Sequence, residues 1–119
     1  MYKPGLTIWY NVKSFERSVK YFTEGLGFSL DFKDEDQGIA IVTTNTKDCC
    51  IGFAESETVV PVTSSAVFEV EDIDLAFSEL KKKGIQFTGD IEVIPGFVKL
   101  ATVQDPDGHS FELSQTIVD

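Results

Sequence analysis

Val-Lys-Ser-Phe-Glu-Arg-Ser-Val-Lys-Tyr-Phe, residues 12–22, and Val-Glu-Asp-Ile-Asp-Leu-Ala-Phe-Ser-Glu-Leu, residues 70–80, carry the same pattern twice. Val12 and Val70, Ser14 and Asp72, Phe15 and Ile73, Val19 and Phe77, and Phe22 and Leu80 all stand 58 positions apart, close to half of a 119-residue chain. Ser14 and Asp72 are helix N-cap residue types, and the apolar positions behind them recur at helical spacing. Before each helix lies an alternating run. Leu6, Ile8, Tyr10 and Val12 alternate with Thr7, Trp9 and Asn11, and Ala66, Phe68 and Val70 alternate with Ser65, Val67 and Glu69. Period-two alternation predicts strands with one apolar face.

Working outward, the first helix runs on through Phe22 and Leu26 and finds its stop at Gly25 and Gly27. Strands are predicted at 28–33, 38–44 and 49–54, separated by the acidic turn 34–38 and the polar turn 45–48. Residues 55–64 form a connector containing Pro61. The second helix carries Ile73, Ala76, Phe77 and Leu80 and ends at Gly84, and strands are predicted at 86–93, 97–104 and 110–117. The last of these follows Asp105-Pro106-Asp107-Gly108, whose proline and glycine suit the corners of a tight turn. Beyond it Phe111 and Leu113 fall on one face, and Ser110, Glu112 and Ser114 on the other.

The fold class that follows is α+β. Two tandem βαβββ modules, at about 5–55 and 65–117 with the connector at about 56–64, form a curved mixed sheet around a pocket, with the helices outside. The helices cover the apolar rows, so Thr7, Trp9, Asn11, Cys50, Gly52, Ala54, Ser65, Val67, Glu69 and Glu112 are expected on the inner face.

Composition narrows the function. With 42% hydrophobic residues and ten phenylalanines the sequence reads as globular. Twenty acidic against ten basic residues give a net charge of −10, which disfavours nucleic acid and anionic lipid as partners. Neither a membrane span nor a signal peptide is read, so a cytoplasmic location is expected. Cys49 and Cys50 are adjacent, an awkward geometry for a disulfide, and are expected as thiols. His109 is the sole histidine and no metal-binding spacing occurs.

In these residues the chain resembles the vicinal oxygen chelate superfamily, which includes glyoxalase I, extradiol dioxygenases and bleomycin resistance proteins. The likeness rests on Val-x-x-x-x-x-Ser-Val-x-x-Phe from Val12 to Phe22, on Leu26-Gly27-Phe28, on the second opening strand and helix, and on Asp105-Pro106-Asp107-Gly108 followed by Phe111-Glu112-Leu113. It implies a homodimer whose pockets are completed by the second subunit. It also implies four metal-ligand places on the inner faces, which fall here on Thr7, Ala54, Ser65 and Glu112, with Glu55 replacing Ala54 if the register slips by one. Glu112 alone is a strong ligand type, so no metal and no cofactor are expected. Residues 21–42 look more like bleomycin resistance proteins than glyoxalases.

The reading that results is a metal-free binder of a small organic molecule, such as a cationic or aromatic antibiotic, using Thr7, Trp9, Asn11, Cys50, Gly52, Ser65, Glu69, Phe97 and Glu112. The alternative is a glyoxalase-type lyase or isomerase with a degenerate metal site and Glu112 as general base. Several residues also admit a structural reading. Trp9 is core or ligand platform, Phe97 core or loop cover, Glu69 pocket or rim, and Glu112 ligand contact or salt-bridge partner of Lys99. Cys50 reads as a small buried thiol and His109 as a solvated turn residue.

Overall fold

The structure, a computed structural model, describes residues 1–46, 48–62 and 64–117. Lys47 of the polar turn and Thr63 of the connector lie outside the described residues. The chain divides into two compact units, Met1–Val60 and Pro61–Asp119.

In the first unit β1 (Leu6–Val12) leads to α1 (Phe15–Lys20), then to β2 (Ser29–Asp34), β3 (Ile39–Thr43) and β4 (Cys49–Glu55). The sheet order is β1-β4-β3-β2, with β1 parallel to β4 and the remaining pairs antiparallel. The second unit repeats this arrangement. Its elements are β5 (Ala66–Glu69), α2 (Ile73–Lys82), β6 (Glu92–Ile94), β7 (Val98–Gln104) and β8 (Ser110–Thr116), in the order β5-β8-β7-β6 with β5 parallel to β8. Two mixed four-stranded sheets, each with one short helix, make an α+β fold of two βαβββ modules.

Each sheet buries one face under its helix. Tyr10, Val12, Ala40, Val42, Ile51 and Phe53 are buried together with Phe15 and Phe22, and the rings of Phe22 and Phe53 lie 4.9 Å apart. In the second unit Ile73, Ala101 and Leu113 form the buried centre, packed by Phe68, Ala76, Phe77, Leu80 and Phe87. Both helix starts are doubly closed. Ser14 Oγ accepts from Arg17 N at 3.2 Å and Asp72 Oδ1 from Leu75 N at 3.1 Å, as their residue types predict. From the end of each module Glu55 Oε2 accepts from Phe15 N at 2.9 Å and Gln115 Oε1 from Ile73 N at 2.8 Å, satisfying one more of the amides a helix start leaves open.

Three expectations are corrected. The first helix does not continue to Leu26 in α-helical form, because a π-turn, Tyr21–Gly25, follows α1. Leu26 N donates to Tyr21 O, five residues back, at 3.0 Å, and this wider turn puts Ser18 and Gly25 rather than Val19 and Leu26 in full burial. The strand expected at 86–93 is mostly irregular. Phe87 makes an isolated bridge to Val103, Gly89 takes φ +81, and pairing resumes only at Glu92. His109 is not solvated: it is 1% exposed. Its Nδ1 accepts from Val62 N at 3.1 Å, and its backbone N donates to Asp105 Oδ1 at 2.8 Å, so the Asp105 turn is anchored to the chain after Pro61. Among the described residues no helix is long and apolar enough to cross a membrane.

Candidate functional site

The helix-free face of each sheet is fixed by register, since residues directly opposite on paired strands share a face. In the first unit Trp9 stands opposite Gly52, Gly52 opposite Ile41, and Ile41 opposite Phe32. That row crosses all four strands. On one side of it runs Thr7–Cys50–Thr43, and on the other Asn11–Ala54–Ile39. Phe32 reaches this face because a β-bulge between Leu30 and Phe32 turns Leu30 and Lys33 toward the helix side, opposite Val42 and Ala40. No sequence signal marks that bulge, so Phe32 and Ile41 were not anticipated here.

Trp9 resolves in favour of a surface position, being 49% exposed. It lies on Gly52, where a methyl group would stand 2.5 Å from indole Cδ2 and Cε3. Cys50 is half-buried rather than buried. Burial first, then the Asp31 carboxylate and the neighbours Cys49 and Asp48, push its thiol above the ordinary range. A raised thiol holds less of the nucleophilic thiolate at neutral pH. Glu55 faces the helix side beside Val12 and is engaged at the start of α1, so the one-residue slip that would exchange it for Ala54 does not occur.

In the second unit Glu112 is central on the helix-free face, between Val67 on β5 and Thr102 on β7. One pair along, Glu69 faces Ser114, and Ser114 faces Leu100, which faces Glu92. Three carboxylates share this face. Lys99, the only cation in these four strands, stands opposite Gln115 on the other face and pairs with Asp74 at 3.2 Å. The expected alternative of a Glu112–Lys99 salt bridge is thereby excluded. Glu112 is half-buried, and among the described residues its carboxylate has no side-chain hydrogen bond or ion pair. Glu69 is exposed and accepts from Thr116 Oγ1 at 3.1 Å. Phe97, just before β7, is 63% exposed, so it is not core. Ser65, one residue before β5, is half-buried.

Thr7, Ala54, Ser65 and Glu112, the places onto which the resemblance carries the metal ligands, make a donor set with one carboxylate and no imidazole. That set does not fit a transition metal. Among the described residues no group of three or more His, Cys, Asp or Glu side chains could hold a metal ion. Elsewhere, on the helix side of the first unit, Glu16, Val19, Lys20, Thr23, Glu24, Leu30 and Lys33 line an open depression of about 250 Å3. None of the expected binding residues lies in it.

Residues 6–113 match the family described as the Glyoxalase/Bleomycin resistance protein/Dioxygenase superfamily. No curated protein matches the sequence. Solved structures share the fold along nearly the whole chain. An integron cassette protein from the mobile metagenome of the Halifax Harbour sewage outfall superposes with a TM-score of 0.81 at 22% identity, covering 96% of this chain and 99% of that one. TnmS3, an antibiotic binding protein from Streptomyces sp. CB03234, gives 0.81 at 20% identity with 98% of each chain covered. A mutant of the fosfomycin resistance protein FosX from Listeria monocytogenes, complexed with Mn(II) and a dihydroxypropylphosphonic acid, gives 0.76 at 15% identity, covering 95% of this chain and 90% of that one.

Proposed function

The chain belongs to the glyoxalase/bleomycin resistance protein/dioxygenase superfamily, and from that premise we propose that it binds a small cationic or aromatic organic molecule, of the kind an antibiotic presents, without a resident metal and without covalent chemistry. The observation that carries this reading is Glu112. Its carboxylate stands mid-sheet on a strand face that also bears Glu69 and Glu92, while the one cation of these strands, Lys99, lies on the opposite face, and among the described residues no donor engages it. A half-buried charge so placed favours a positively charged ligand group, which would neutralise it. Trp9, half-exposed beside Asn11 and Thr7, adds an aromatic surface of the kind that attracts flat or cationic groups. TnmS3, which shares this fold, is an antibiotic binding protein, and that supports the same assignment.

On the family resemblance we assign the working form as a cytoplasmic homodimer. Thr7, Asn11, Cys50, Gly52, Ser65, Glu69 and Phe97 are assigned with Trp9 and Glu112 as ligand contacts. The test is a thermal-shift screen of cationic drugs, thiol conjugates and aromatic metabolites. A ligand at about a hundred times its Kd raises stability by about 2.7 kcal/mol, a shift of several degrees. Trp9→Ala and Glu112→Gln are expected to remove the shift while the ligand-free melting temperature changes little. If both variants respond like the parent, the binding residues are misplaced. Elemental analysis separates the enzyme alternative, because a transition metal retained at one per chain through chelating buffer favours a lyase or isomerase.

A further inference from the structure

The contact between Trp9 and Gly52 defines a ring orientation. A methyl group on Gly52 would stand 2.5 Å from Cδ2, 2.5 Å from Cε3 and 2.8 Å from Cε2. These three atoms surround the fusion bond of the indole. Near-equal distances to them mean that the ring meets the strand face-on, because an edge-on ring would bring one atom close and leave the others more than an ångström behind. The indole therefore lies with one face on β4, and Trp9, 49% exposed as a residue, turns the other face away from the strand. Gly52 is not a turn glycine: its φ is not positive, so nothing in the backbone calls for glycine there. A glycine inside a central strand is otherwise a cost to the sheet, and often marks the close approach of another group.

From these positions we infer that the outward face of Trp9 is a stacking platform for a flat, positively charged aromatic ligand, and that Gly52 is the residue that positions it. This rests on the binding reading above and names the ligand class. Beyond the indole the row continues through Ile41 to the half-exposed Phe32, three strand spacings or about 14 Å in all. A planar ring system lies along such a row, whereas a globular cation touches it at one point. The sign of the charge follows from the surroundings. The four strands of this sheet carry three carboxylates, Asp31, Asp34 and Glu55, against one cation, Lys33, which stands opposite Ala40 on the helix side and pairs with Glu35 at 3.3 Å. That excess of negative charge favours a cation.

The test uses the full chain and three probes: proflavine, a flat cation; adamantanamine, a bulky cation; and anthraquinone sulfonate, a flat anion. Trp9 is the only tryptophan, so its emission reports the platform directly. Proflavine is expected to quench it saturably and to bind about tenfold more tightly than either of the others. Gly52→Ala is expected to weaken proflavine by about tenfold and to shift the Trp9 emission maximum. It is also expected to lower the melting temperature of the parent but not that of Trp9→Ala, where the methyl group meets no ring and alanine is the better strand residue. Equal effects of Gly52→Ala in both backgrounds, or undiminished proflavine binding by that variant, overturn the positioning role. Absence of saturable quenching, or adamantanamine or anthraquinone sulfonate binding as well as proflavine, overturns the ligand class. Screening hits lost in Glu112→Gln but untouched by Gly52→Ala keep the binding function and remove this inference alone.

Discussion

Asp105 shows how one side chain can build a turn and charge it against burial at once. Its Oδ1 accepts from Asp107 N at 3.0 Å and His109 N at 2.8 Å, while Oδ2 is buried with no hydrogen-bond partner among the described residues. Burial raises the folded carboxyl above its ordinary value of 3.8, against the lowering pull of the His109 and Asp107 amides and of the His109 ring. A carboxyl raised on folding holds its proton better in the folded state. Its contribution to stability is therefore full below the unfolded value and is lost as pH rises through the folded one. Asp105→Asn keeps the Oδ1 acceptor and removes the charge. The melting temperature of the variant relative to the parent is expected to climb as pH rises above the ordinary carboxyl value of 3.8, and a pH-independent difference would show that this charge is solvated. The turn itself was legible in Asp-Pro-Asp-Gly, down to the positive φ of +86 at Gly108. The burial of His109 was not, because its partner is the backbone of Val62, 47 residues away. Nothing in the sequence around a histidine reports such a contact.

At the scale of elements, the two modules close their helices with the same device from different residues. The N-caps Ser14 and Asp72 were readable because capping is local, acting within three residues. Glu55 and Gln115 were not readable as caps, since each reaches its helix from the end of a distant strand. Gln115→Ala leaves the amide of fully buried Ile73 without that acceptor, and is expected to cost about 1–3 kcal/mol in urea unfolding. Gln115→Glu keeps an acceptor and places negative charge at the helix start, so it should retain most of the parent's stability. Equal losses in the two variants would indicate that side-chain packing rather than the hydrogen bond matters there. The same distinction between local and distant causes explains the rest. Strand faces at β1, β5 and β8 follow from alternation and were legible. The bulge in β2, the π-turn after α1 and the short β6 depend on how the whole module packs, and were not.

For the molecule as a whole, charge is the property most plainly written in the sequence, and it bears on how a ligand arrives. The two-module plan could be read from spacing alone, because a duplicated pattern of strand, cap and helix survives as position numbers, whereas the family came from a resemblance in particular motifs, such as Leu26-Gly27-Phe28 and Asp105-Pro106-Asp107-Gly108. The candidate site was legible as a set of faces but not as a row, since Phe32 and Ile41 join Trp9 only through cross-strand register. A net charge of −10 places any cation in an attractive field before contact. Raising salt from about 10 mM to about 500 mM shortens the screening length from about 30 Å to a few ångströms, which removes long-range steering but leaves stacking largely intact. In stopped-flow measurements of Trp9 quenching by proflavine, the association rate constant is expected to fall several-fold or more over that range, with the dissociation rate changing much less. Replacing Asp34, which ends β2, and Glu35 and Asp36 in the turn that follows it with their amides removes three charges from the field without touching Trp9, Gly52 or Glu112. That variant should show a shallower salt dependence of association and a dissociation rate like the parent's. If salt acts on dissociation alone, the charge of this protein contributes to solubility rather than to capture.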